Sequence, residues 1–182
     1  MMPVIEMVPA RLQHCGRMAR YLRHEHRAII DRMGANAHYE LRGLYDRSDP
    51  YFRRAWLIDG RLAAMAFIQG SLLMPIGFVG AAFTQEALRY PLAIVRGARA
   101  YLDEAMEFKR ELITTVVGGD EPAMRLATFL GFHCSHQGEG VRAYSRKGRG
   151  RLRNYLKADP ELRLPIPGGY MIGLGYHNEE HV

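Results

Sequence analysis

Two short stretches hold residue types that ligate metals, His24-Glu25-His26 and His133-Cys134-Ser135-His136. A zinc site draws its ligands from paired motifs at recognised spacing, and neither stretch has a paired partner. On an extended strand His133 and His136 point to opposite faces, so no metal site is expected. Cys15 and Cys134 are the only cysteines. They give no disulfide framework, suit a reducing compartment, and read as small buried apolar residues rather than nucleophiles. The remaining concentration of chemistry is charge. Arg146, Lys147, Arg149, Arg151, Arg153 and Lys157 lie together with no acidic residue among them, and the basic residues elsewhere equal the 19 Asp and Glu in number. The formal net charge of +6 therefore belongs to one stretch. Such a run is a solvated linker, or it contacts nucleic-acid phosphate or an acidic protein surface. Tyr155 is its only aromatic residue, so it offers little for stacking on single-stranded bases.

The elements that must position any site follow from periodicity. At 182 residues the chain suits one domain with a real core. No apolar run reaches the ~18 residues of a membrane span. The N-terminus lacks a basic region followed by an apolar core, so neither a signal peptide nor membrane association is expected, and synthesis is expected to leave the chain in the cytoplasm. Val4 to Val8 reads as a first strand closed by Pro9. Arg11 to Asp31 predicts one helix burying Leu12, Met18, Leu22, Ile29 and Ile30, and Ala37 to Tyr45 predicts a second. Arg54 to Ile58 and Arg61 to Gln69 flank Asp59-Gly60, the turn chemistry of a two-residue hairpin. Ile76 to Phe83 is a further strand. Pro91 to Lys109 predicts a helix burying Leu92, Val95, Ala98, Leu102 and Met106.

The segment from Glu111 to Cys134, ELITTVVGGDEPAMRLATFLGFHC, is the most informative. Leu112 to Val117 is a β-branched run that reads as a buried strand. Gly118-Gly119 breaks it, Asp120 caps a helix with Pro122 in its first turn, and Ala123, Leu126, Ala127 and Leu130 share one face. Gly131 ends the helix and Phe132 opens the next strand. Phe132 to His136 and Val141 to Ser145 complete the order. The expectation is an α/β protein with a mixed, mostly antiparallel sheet, a helical crossover in its middle and flanking helices. Residues 1–145 form this domain. Residues 146–182 form an irregular, basic, Gly-, Pro- and Tyr-containing extension that suits wrapping a partner better than making a core.

This order, and the Asp120, Ala123, Ala127, Gly131-Phe132 frame in particular, resembles the acetyltransferase fold called GNAT. The resemblance covers roughly Val4 to Ser145 and implies transfer of an acyl group from acyl-coenzyme A to an amine. It also implies three chemical parts. One is a cradle of backbone N–H groups for pyrophosphate at a helix N-terminus. The second is a base, often a carboxylate on the fourth strand or a water chain. The third is a tyrosine that protonates the departing thiolate.

The residues do not supply these parts. Framed on Arg96, the two glycine positions of the family's phosphate loop hold Arg99 and Tyr101; framed on Arg89, they hold Leu92 and Ile94. Pro91 offers no N–H, and branched side chains hinder the approach glycine permits. Ile76 to Phe83 carries no carboxylate, and Glu86 comes after it. The tyrosine position falls on Ala127, which cannot donate a proton, and Tyr101 or Tyr144 could substitute only if folding brings them there. Asp120, in place of the family's asparagine, would repel a polyanionic cofactor. Arg96, Gly97 and Arg99 are left as a vestigial cofactor site with no catalytic residue and no cofactor expected.

The chain also looks like the GNAT-like proteins of tailed bacteriophages, through its Gly-Phe helix end, degraded phosphate loop and short single-domain length. That resemblance implies a non-catalytic component of the virion. Its partners would be neighbouring protein subunits, with Arg146, Lys147, Arg149, Arg151, Arg153, Lys157, Tyr170 and Tyr176 making the contacts and 146–157 able to meet DNA phosphate. The alternatives are an active acetyl-CoA-dependent N-acetyltransferase, in which Arg96 or Arg99 pairs with phosphate, and a DNA-binding accessory protein.

Overall fold

In a computed structural model, residues 3–138 and 140–148 are described. Seven strands form one sheet in the order β1-β2-β3-β4-β5-β7-β6. In chain order these are β1 (Ile5–Pro9), β2 (Arg54–Ile58), β3 (Arg61–Gln69), β4 (Ile76–Phe83), β5 (Glu111–Val117), β6 (His133–Gly138) and β7 (Val141–Lys147). Five helices accompany them: α1 (Leu12–Tyr21), α2 (His24–Arg32), α3 (Ala37–Arg47), α4 (Pro91–Phe108) and α5 (Glu121–Phe129). Every neighbouring pair is antiparallel except β4 and β5, which are parallel and joined by the crossover helix α4. None of the described helices is long and apolar enough to cross a membrane.

β3 is the spine. It is buried from Leu62 to Ile68, as a strand covered on both faces must be. Its alternation divides the core. Ala64, Ala66 and Ile68 join one cluster with Trp56, Leu102, Ala105 and Leu112. Met65 and Phe67 join the other with Cys15, Met18, Leu41 and Leu44. Helices α4 and α5 thus cover one face, and α1 and α3 the other. The hairpin before β3 has the expected two-residue turn, with Asp59 and Gly60 both at positive φ (48° and 74°). The end of α5 also follows its sequence. Gly131 has φ 86°, its N–H bonds Thr128 O, and the Phe132 N–H bonds Ala127 O, the pairing that satisfies the last carbonyls of a helix.

Three expectations are corrected. The stretch expected as one helix from Arg11 to Asp31 is two, interrupted at Leu22-Arg23, where ψ is 138° and 137°. A tertiary bond holds the break open, since the Arg23 N–H donates to Phe83 O at 2.9 Å. Leu12, in the first turn of α1, is 41% exposed. Second, β7 runs to Lys147, so Arg146 and Lys147 belong to the sheet and not to an arm beyond it. Third, a bulge at Ser135 restores His136 to the face of His133. The two histidines lie opposite Ala143 and Ser145, which are two apart on β7 and so on one face. Both are exposed. Among the described residues no three His, Cys, Asp or Glu side chains group so as to hold a metal ion.

Lys109, which follows α4, is the least expected buried residue. Its side chain is fully enclosed, and Nζ donates to Ser71 O at 2.5 Å and Met74 O at 2.8 Å while sitting 5.3 Å from the centre of the Phe52 ring. Burial pulls its pKa down to about 8. The lysine ties the β3–β4 loop to the closed end of the crossover. Replacing it in Lys109→Met leaves those carbonyls without their donor, which costs about 2 kcal/mol. Thermal unfolding should show the midpoint falling by about 5 °C.

Candidate functional site: a wedge in the sheet and the cavity behind it

β4 and β5 pair only from Ile76–Glu111 to Phe78–Ile113. Beyond that they part, and the Thr114 hydroxyl reaches across to donate to Val79 O at 3.2 Å. The wedge opens towards α4 and α5. Behind it lies a cavity of about 300 Å³ whose walls include Trp56, Ala81, Phe83, Ile94, Val116 and Ala127. Glycine shapes one wall: a Cβ on Gly97 would stand 2.3 Å from Trp56 Nε1, so only glycine lets the indole lie against α4. Tyr101 is also in the wall, edge-on to Trp56 at 5.7 Å.

The lining is largely apolar, with Thr114 and Thr115 from β5, and at one end the start of α2 and the start of α5 bring in Arg23, His26 and Asp120. The break between α1 and α2 is what turns Arg23 and His26 inward. All three are at least nine-tenths buried. Arg23 Nη2 donates to Asp120 Oδ2 at 3.1 Å, and His26 Nε2 is 3.9 Å from the same oxygen. Asp120 Oδ1 accepts the Ala123 N–H at 3.1 Å, so this carboxylate caps α5 and neutralises Arg23 together. The repulsion of a polyanion expected from Asp120 is therefore offset within the protein. Burial, and then the Arg23 charge, push the His26 pKa down to about 4, against weaker opposite pulls from Asp120 and Glu25. The imidazole is neutral at neutral pH. Three buried polar atoms in the lining have no hydrogen-bond partner: Arg23 Nε, His26 Nδ1 and Trp56 Nε1. Arg23 Nε has only an ion-pair contact to Glu25 at 3.5 Å.

The residues singled out as a vestigial cofactor site lie elsewhere in α4. Arg96, Gly97 and Arg99 are the sixth, seventh and ninth residues of the helix, past the four N–H groups that a helix leaves free. Gly97 packs under Trp56. Arg99 donates to Phe129 O at 3.1 Å and lies 5.1 Å over the Phe129 ring, joining α4 to α5; Arg96 is exposed. Ahead of α4, Gln85–Arg89 is a 3-10 turn that uses the N–H groups of Ala87 and Tyr90 internally and leads into Pro91. Glu86, the nearest carboxylate after β4, pairs with Arg89 at 3.4 Å.

Ala127 is a buried part of the cavity wall. Of the two tyrosines considered as substitutes, Tyr101 donates its hydroxyl to Phe52 O at 2.7 Å, and burial holds its pKa well up. Tyr144 is buried on β7, paired with Thr114 and Cys134. Arg146 bonds Asp103 at 2.5 Å and so anchors α4 to β7. Arg149, Arg151, Arg153, Lys157, Tyr170 and Tyr176 lie outside the described residues. Sequence reading missed Arg23 and His26 as partners of Asp120. Their one signal was the crowding of Arg and His in the stretch that breaks.

The arrangement of the sheet, the crossover helix and the capped helix after β5 is matched by solved structures of acetyltransferases. A GNAT-family acetyltransferase from Bacillus anthracis superposes with a TM-score of 0.57 at 10% identity, over 80% of this chain and 98% of that one. The ribosomal-protein-S18-alanine N-acetyltransferase from Escherichia coli gives 0.59 at 14% identity, over 79% and 94%. A GNAT-family acetyltransferase from Streptococcus pneumoniae gives 0.52 at 13%, over 80% and 100%. No protein-family profile and no curated protein matches the sequence. The chain has the GNAT acetyltransferase-like fold.

The neutral, buried His26 links stability to pH. Its folded-state pKa lies below the ordinary value of 6.5, so the unfolded chain takes up a proton that the folded chain refuses. The contribution is whole above pH 6.5 and is lost progressively as the pH falls to about 4. Between pH 7 and 4.5 the native chain should lose about 2–3 kcal/mol more stability than His26→Gln. Urea unfolding of both proteins at the two pH values measures this, and parallel losses would contradict it.

Proposed function

We propose that this chain is a GNAT-fold protein without acyl-transfer activity that serves as a structural component of a tailed-bacteriophage particle. The observation that carries the loss of activity is the entrance to α4. Pyrophosphate needs a run of free backbone N–H groups at that helix terminus. A closed 3-10 turn with Tyr90 and Pro91 behind it supplies few of them. The other two requirements fail with it: β4 carries no carboxylate, and Ala127 stands where a proton donor is needed. An enzyme must stabilise its transition state beyond its ground state, and among the described residues the three groups that the resemblance implies for this are not in their expected positions.

The particle role rests on the sequence resemblance and on the segment after β7. Arg149, Arg151, Arg153 and Lys157 give that segment charge, and Tyr170 and Tyr176 give it aromatic anchors of the kind that interfaces favour. Its partners in this reading are neighbouring protein subunits, with packaged DNA as a second contact of the basic stretch. The protein would be made in the cytoplasm and carried in the virion.

Acetyl-CoA at millimolar concentration should leave the thermal midpoint unchanged. Saturating binding at ~100 times the dissociation constant would add about 2.7 kcal/mol, a rise of several degrees. Such a rise would favour the acetyltransferase reading, which the open wedge between β4 and β5 keeps as the competitor. For the assembly role, charge reversal of Arg149, Arg151, Arg153 and Lys157 to Glu in the full chain should abolish its incorporation into particles, read by mass spectrometry of purified virions. Undiminished incorporation would count against contact through this segment.

A further inference from the structure

The cavity behind the wedge contains more chemistry than a packing defect needs. Its volume of about 300 Å³ is about twice that of a cavity known to take up benzene. A void lined only by hydrocarbon is simply empty. This one has at one end two buried side chains with nitrogen atoms that make no hydrogen bond, His26 Nδ1 and Arg23 Nε, the latter in ion-pair contact with Glu25 at 3.5 Å. Buried polar atoms left without partners cost free energy that a bound group returns. We propose that the cavity binds an uncharged, largely apolar small molecule, with about ten to fifteen non-hydrogen atoms, whose single polar group bonds Arg23 and His26.

Charge balance decides the class of ligand. Arg23 is already paired with Asp120 at 3.1 Å and with Glu25 at 3.5 Å, and His26 is neutral, so no unpaired charge faces the cavity at this end. An anion placed there competes with Asp120 for Arg23, and a cation competes with Arg23 for Asp120. Each would enter a poorly solvated space without a free counter-charge. Glu25, also beside Arg23, is exposed and reaches it from the solvent side. A carboxamide, ketone or alcohol meets the site without that penalty, because an oxygen accepts from Arg23 Nε–H while the neutral imidazole supplies either a donor or an acceptor. Most of the remaining wall, from Ala81 and Phe83 to Ile94 and Ala127, is hydrocarbon, with Thr114 and Thr115 of β5 the polar additions. The cavity lies behind the wedge between β4 and β5, and the inference rests on the reading that acetyl-coenzyme A does not bind there.

Trp56 gives the test an internal reporter, being the only tryptophan of the chain and part of the cavity wall. Titration of the full chain with octanamide should change Trp56 fluorescence saturably and raise the thermal midpoint. Octanoate and octylammonium, matched in length but charged, should bind at least tenfold more weakly. Ala127→Phe, which fills the cavity from α5, should abolish the octanamide response. Ala81→Leu, which fills it from β4, serves as a second variant, with circular dichroism confirming that each is folded. No saturable response to octanamide, or an equal response in both folded variants, would overturn the inference. So would equal binding of the charged analogues. Acetyl-CoA is titrated alongside as a separate arm. Octanamide binding that acetyl-CoA displaces would defeat the reading without acyl transfer and this inference with it, whereas failure of octanamide alone leaves that reading intact.

Discussion

Where two adjacent strands of a sheet part, the backbone groups between them lose their ladder partners, and a buried carbonyl or N–H without a partner is costly. β4 and β5 part after Phe78 and Ile113. The carbonyls exposed by the parting are met one at a time. Thr114 donates to Val79 O across the gap, and the Arg23 N–H donates to Phe83 O at the far end. That second bond breaks the first helical stretch in two, and the break in turn delivers Arg23 and His26 to the wedge. α4 and α5 then roof the opening with apolar side chains. The architecture around the cavity is in this sense a set of answers to one unclosed ladder.

The pair Arg23–Asp120 shows why the polar end of the wedge is tolerable. An isolated buried guanidinium would be prohibitive, and a buried ion pair repays its desolvation only with good geometry and further hydrogen bonds. Asp120 meets that condition by also capping α5 through Ala123. One carboxylate therefore fixes both the start of a helix and the position of an arginine from another element. His26, beside it, avoids the cost by remaining neutral.

Local chemistry made much of the fold legible. Asp59-Gly60 specified its hairpin, and the run from Leu112 to Phe132 specified strand, cap, helix and glycine stop, because each is decided by neighbours in sequence. The break at Leu22-Arg23 was hidden because neither residue is Gly or Pro. It is imposed by Phe83, some sixty positions away. Arg23 and Asp120 are 97 residues apart, and no spacing rule connects them. Lys109 was hidden for a different reason: a lysine at the end of an amphipathic helix normally faces water, and only the β3–β4 loop folded over it supplies the carbonyls that make burial possible. The packing of Gly97 was hidden because the indole that lies against it belongs to Trp56, far away in sequence.

The bulge at Ser135 bears on how the sheet meets the outside. Among the described residues the seven-stranded sheet has two unpaired edges, and a flat edge is a template on which a foreign strand can add. β6 is such an edge, exposed along its whole length. Its bulge twists the backbone away from a regular repeat, and its side chains, His133, Cys134, Ser135, His136 and Gln137, offer an incoming strand little hydrocarbon to cover. The opposite edge, β1, is unbulged and presents Ile5 and Met7 to solvent. The sheet is thus guarded against growth on one side, and its susceptibility to strand addition, whether by aggregation or by a partner, is concentrated on the other.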